Sequence, residues 1–166
     1  MDLKINKYPT EDWKELEYIL ADRQKPALLV CGFDTLTSKE RAIADFKTKF
    51  PKYTQHEIDS TGERVVSLFR YLKEKLPDLS NTSTDNIQHL VHLSGLEYSL
   101  MAEAPVSPGQ LLPELNFERE LVFRDLPCIL VIWVNQYTLK RLQKEAPDFW
   151  DWVQYQYSFT STYTSN

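Results

Sequence analysis

Phosphate chemistry is the first to test, because Gly32-Phe33-Asp34-Thr35-Leu36-Thr37-Ser38-Lys39-Glu40 follows an apolar run and precedes a helical pattern. A phosphate-gripping loop there needs Gly-x-x-x-x-Gly-Lys-Ser/Thr, so that backbone N–H groups converge on the phosphates and the lysine reaches their outer oxygens. Counted from Gly32, the second glycine is replaced by Thr37, the lysine by Ser38 and the hydroxyl by Lys39. A nucleotide-hydrolysing site also wants a carboxylate ending an apolar strand to hold magnesium or orient water. The run His89-Leu90-Val91-His92-Leu93 ends instead in Ser94-Gly95, with Glu97 the nearest carboxylate.

Other chemistries find less. His89 and His92 are three apart, which on a strand places them on opposite faces. There is no Cys-x-x-Cys or His-Glu-x-x-His to bind a metal, and no Gly-x-Ser-x-Gly elbow to present a nucleophilic serine. Asp148 and Asp151 suit the opening of a helix, where carboxylates complement the dipole. Asp59-Ser60-Thr61-Gly62 reads as a turn. No catalytic residue, metal site or cofactor site is expected on these grounds.

Two denser clusters remain. Ala146-Pro147-Asp148-Phe149-Trp150-Asp151-Trp152, with Tyr155 and Tyr157 beyond, concentrates large aromatics that serve either the core or a partner surface. Its acidic neighbours argue against stacking on single-stranded nucleic acid, which needs a basic groove. In Leu115-Asn116-Phe117-Glu118-Arg119-Glu120, the residues Asn116, Arg119 and Glu120 continue to Phe123 along one helical stripe. That stripe faces water, a partner, or a pairing such as Arg119 with Asp148. Asn116, Arg119, Glu120, Asp148, Trp150 and Trp152 are therefore the interaction candidates.

The elements that position these residues follow from apolar periodicity. Helical spacing joins Trp13, Leu16 and Leu20 after a cap at Thr10. It joins Ile43, Phe46 and Phe50 after a capping box at Thr37 and Glu40. A third helix is expected from just after Gly62, through Val65, Phe69, Leu72 and Leu76, and others around Leu111–Phe123 and Leu139–Leu142. Strands are expected at Ala27–Cys31, Tyr53–Asp59 (weak, suited to an edge), His89–Leu93, Ile129–Val134 and Tyr155–Phe159, with an exposed loop over Pro77–Asn86. Strands and helices in alternation predict a parallel sheet with right-handed crossovers. The expected fold is an α/β three-layer αβα sandwich on a mainly parallel five-stranded sheet. Residues 1–160 form one domain, and 161–166 a flexible polar tail.

Composition sets limits on partners. Lys and Arg number 19 against 24 Asp and Glu, a net charge of -5, which gives no general attraction to nucleic acid. With 42% hydrophobic and 13% aromatic residues the chain can bury a core without disulfides. Only four glycines stand where about twelve would be usual. The longest apolar run, Cys128 to Val134, is far short of the roughly 18–20 residues of a membrane span. Cys31 and Cys128 fall in aliphatic stretches and read as buried reduced thiols. A cytoplasmic protein that binds neither membrane nor nucleic acid is expected.

The order of these motifs adds a family. From Ala27 to Phe159, with the loop altered at Thr37 and Ser38, Ser94-Gly95-Leu96-Glu97, Leu115-Asn116-x-x-Arg119-Glu120, Trp133 in its apolar strand and Ala146-Pro147-Asp148-Phe149-x-x-Trp152, the chain resembles the inactive STAND-type domains. These are divergent relatives of P-loop NTPases found in bacterial conflict and signalling proteins. The resemblance implies a P-loop NTPase-like sheet without a working P-loop, no enzymatic activity, and an adaptor role toward a protein partner such as an effector, a repeat protein or another copy of the chain. The alternative is a nucleotide- or anion-binding sensor, or weak NTPase, that uses the helix starts near Thr37 and Gly62.

Overall fold

The computed structural model describes residues 9–21, 25–81, 86–101 and 111–161. Five parallel strands, β1 (Ala27–Phe33), β2 (Thr54–Asp59), β3 (His89–Ser94), β4 (Cys128–Asn135) and β5 (Tyr155–Phe159), form one sheet in the order β2-β3-β4-β1-β5. β1 lies between β4, with Ala27 opposite Ile129, and β5, with Leu29 opposite Tyr155. β3 joins β2 to β4. The three inner strands are the runs apolar on both faces, as strands covered by helices must be. The more polar Thr54-Gln55-His56-Glu57 sits at an edge.

Alternate residues of each strand feed two cores. On one face Leu29, Cys31, Leu90, Val131 and Trp133 pack under α1 (Pro9–Leu20) and α2 (Leu36–Lys49), through Trp13, Leu16, Leu20, Ile43 and Phe46. On the other, Val30, Val91, Leu93, Ile132 and Val134 pack under five helices. These are α3 (Leu68–Lys75), α4 (Leu96–Met101), α5 (Leu111–Asp125), α6 (Gln136–Glu145) and α7 (Pro147–Trp150). The expected three-layer α/β architecture is the one observed. Cys31 and Cys128 are both buried, on opposite faces of the sheet, and burial pushes the Cys128 thiol up to about 12.

Several local expectations need correction, beginning with α1, which starts at Pro9, one residue ahead of the Thr10 expected to cap it. α2 is capped by Thr35, two residues before Thr37. The Thr35 hydroxyl accepts from the Ser38 N–H at 3.1 Å and the Ser38 hydroxyl accepts from the Thr35 N–H at 3.3 Å, so the box closes on the earlier of two overlapping pairs. α3 starts at Leu68 after the cap Ser67, leaving Val65 buried ahead of it. α4 was not foreseen, since six residues are too few to show a helical period; and Pro77–Asn81 turns as a 3₁₀ segment where open loop was expected.

Candidate functional site

In an open parallel sheet, ligands bind beyond the carboxyl ends of the strands. β1 runs to Phe33 and α2 begins at Leu36, so Asp34 and Thr35 alone link them. Two residues are too few to curl around a phosphate. They are also engaged with their own neighbours. Ser38 Oγ lies 2.9 Å from Asp34 Oδ1 and 2.8 Å from the Thr35 carbonyl, while Asp34 Oδ2 accepts from the Ser161 N–H at 2.7 Å. That last bond is the main reason the Asp34 carboxyl is held below its usual range, with Ser38 adding to it. An anion of the protein's own thus stands at the helix start where a P-loop would place phosphate.

The neighbouring strand ends are similarly closed. A Cβ on Gly32 would come within 2.9 Å of the Gln136 side-chain nitrogen, so the Gln136 amide covers the one glycine of the loop. Glu97 Oε1 accepts from the Asn135 N–H at 2.8 Å, and the Asn135 side chain caps α6 by accepting from the Thr138 N–H at 2.8 Å. At the end of β2, Asp59 Oδ1 accepts from the Thr61 hydroxyl at 2.7 Å and the Thr61 N–H at 3.0 Å, which holds its carboxyl below the usual value. Lys39 contributes to that lowering through its charge, with Nζ 5.3 Å from the Phe33 ring. The carboxylates at these strand ends accept from backbone N–H groups and hydroxyls of the protein itself, and no group of three metal-ligating side chains exists among the described residues.

The second helix start is filled too. Gly62 belongs to the turn after β2, and the helix begins beyond it at Leu68. There the Ser67 hydroxyl accepts from the Arg70 N–H at 3.2 Å, and the buried Glu118 of α5 accepts from the Phe69 N–H at 3.2 Å and the Ser67 hydroxyl at 2.8 Å. Both anchor points of the anion-sensor alternative therefore carry side-chain acceptors. Glu118 lies one residue off the Asn116–Arg119–Glu120 stripe, so the helical spacing of polar residues did not pick it out. Its signal would have been a carboxylate beside apolar residues.

The interaction candidates whose side chains are described differ in their surroundings. Asn116 Oδ1 accepts from the Phe149 N–H at 2.9 Å and ties α5 to α7. Trp150 and Trp152 are half-buried and pack against the core, while Asp148 is exposed. Phe149 and Tyr157 of the same aromatic stretch are fully buried. The side chains of Arg119 and Glu120 lie outside the described residues, as does the expected Arg119–Asp148 pairing.

The three histidines serve the sheet. His56 Nε2 and His89 Nδ1 meet at 3.0 Å across β2 and β3, and burial together with the neighbouring His89 holds His56 below its ordinary value. His92 is on the opposite face, as the strand spacing requires, between Trp133 and Gln55.

No protein-family model matches the chain, and no curated protein matches it. The fold is similar to that of the solved Aeropyrum pernix ORC2 protein, determined as ADPNP–ADP complexes, with a TM-score of 0.55 and 11% identity. The likeness covers 96% of this chain and 50% of that one, so the chain spans half the length of its neighbour. At that identity it shows the fold alone, a parallel α/β sheet layered by helices like that of a neighbour with a P-loop NTPase fold. No helix among the described residues is long and apolar enough to cross a membrane.

Proposed function

We propose that this protein is a non-catalytic protein-interaction or adaptor domain of bacterial signalling or defence, built on a P-loop NTPase-like scaffold whose phosphate site is closed. The observation that supports this most directly is the Asp34 carboxylate, bonded to Ser38 and to the Ser161 N–H at the start of α2. A polyphosphate approaching that turn meets a like charge in place of a cradle and a lysine. Glu118 at the start of α3 and Gln136 over Gly32 act in the same sense.

The rival reading carries nucleotide binding over from the ORC2 neighbour. The two are separated by thermal unfolding with millimolar ATP, ADP or their magnesium complexes, because a ligand stabilises the state it binds. No change in Tm and no phosphate release are expected. A rise of several degrees, or turnover by the purified protein that is lost in a helix-start variant, would overturn the proposal.

A further inference from the structure

α4 and α6 form a ledge beside the closed phosphate site. Two bonds fix them as neighbours: Glu97 at the start of α4 accepts from the Asn135 N–H at the cap of α6, and Arg141 Nη1 donates to the Leu100 carbonyl at 2.9 Å. On α6, Thr138, Leu139 and Leu142 are buried. At about 100° per residue, Tyr137, Lys140, Arg141 and Lys144 share the opposite arc, spanning roughly 100°. On α4, Leu96, Ser99 and Leu100 are buried while Tyr98 and Met101 turn outward.

This surface is unusual for the molecule in two ways. Tyr137 is 70% exposed, Met101 82% and Tyr98 46%, three of the six large apolar side chains that stand in solvent among the described residues. The arc on α6 also carries three cations in a chain of net charge -5. Arg141 is bonded to Glu145 at 2.6 Å, but Lys140 and Lys144 have no ion pair among the described residues. Aromatic and thioether anchors flanked by free cations match a partner segment of the opposite character.

We infer that the α4–α6 ledge is a docking surface for an acidic amphipathic segment of another protein. Apolar side chains of that segment pack on Tyr98, Met101 and Tyr137, and its carboxylates meet Lys140 and Lys144. The inference rests on the adaptor reading and gives that reading its partner chemistry.

The probe is a set of synthetic amphipathic helical peptides of about four turns, with Leu and Phe on one stripe and Glu on the other, beside the same set with Lys for Glu. Fluorescence anisotropy with the full chain is expected to show binding of acidic members, weakening with salt, and none of the basic ones. Tyr137→Ala, and Lys140→Glu with Lys144→Glu, are each expected to lower affinity at least about tenfold with Tm unchanged, since exposed positions carry little stability. Failure of every acidic peptide, equal binding of the basic set, or indifference to both variants would overturn the inference. So would light scattering that shows a dimer broken by Tyr137→Ala, which would place a second copy on the ledge. Nucleotide binding in the thermal assay would instead count against the adaptor reading, so the two failures are distinct.

Discussion

Buried between β2, β3 and β4, His92 is held in one tautomer by its neighbours. The Trp133 indole can only donate, so at 3.1 Å it requires a bare Nδ1 on His92. Nε2–H then donates to Gln55 Oε1 at 2.9 Å, and the Gln55 amide donates to the Phe46 and Phe50 carbonyls at the end of α2. Burial pushes His92 down to about 3, against roughly 6.5 in an unfolded chain. The unfolded state takes up the proton first, so this residue's contribution is complete above about pH 6.5 and is lost as pH falls toward 3. Between pH 7 and pH 5 the loss from His92 is about 2 kcal/mol. Urea unfolding at the two pH values should show it, and His92→Gln should reduce the difference to what the half-buried His56, shifted the same way, leaves behind. An undiminished difference would place the acid sensitivity elsewhere.

The two positive-φ glycines among the described residues offer a comparison at the same scale. Gly95 has φ of +88° and a Cβ there would fall 2.4 Å from the Thr61 nitrogen and 2.6 Å from Asp59 Oδ1; Gly62 has φ of +85° with open space around it. Gly95→Ala is expected to cost more than about 2 kcal/mol, adding a backbone clash to the left-handed strain, and Gly62→Ala about 1 kcal/mol from strain alone. Chemical denaturation of both variants measures the gap. Similar losses would show that the Asp59–Thr61 turn yields without cost.

Among the elements, α5 is the fastener of its face. Asn116 reaches α7 and Glu118 reaches the first turn of α3, two residues apart on one helix. Glu118→Ala strips a buried helix start of acceptors and is expected to cost about 2–3 kcal/mol, while Asn116→Ala, losing its part-buried bond to the Phe149 N–H, should cost about 1 kcal/mol. Glu118→Gln keeps an acceptor and should recover part of the first loss. Denaturant midpoints of the three variants test this order, and a larger loss at Asn116 would contradict it. Neither tether is legible in sequence, because periodicity reports which face of a helix is apolar and says nothing about which backbone N–H a distant side chain meets. The same limit explains Thr35 and Thr37, two capping signals two residues apart that only the length of the β1–α2 link separates.

At the scale of the whole molecule, the sequence carried the five strands and the layered class because long apolar runs leave few alternatives. It also carried the defect in the phosphate loop, since a missing glycine and a displaced lysine are matters of residue identity. It did not carry what fills the space. Asp34 meets Ser161 over 127 positions of chain, and Gln136 covers Gly32 from the end of the neighbouring strand β4. The aromatic stretch at 146–157 stands out by density, yet Phe149 and Tyr157 are fully buried and Trp150 and Trp152 half-buried against the core. The solvent-facing tyrosines of α4 and α6 are scattered singly in sequence and come onto neighbouring helices only through folding.

The position of β1 has a kinetic consequence. It is the first strand of the sheet to leave the ribosome, and it is flanked by β4 and β5, the last two. Its backbone N–H and C=O edges, on an apolar strand, therefore lack their sheet partners until residues about 100 positions downstream emerge. Contacts this distant slow folding, and an unsatisfied apolar strand invites association between nascent chains. During synthesis this strand therefore waits longer for its sheet partners than any other strand, and is open to association with other chains for that interval.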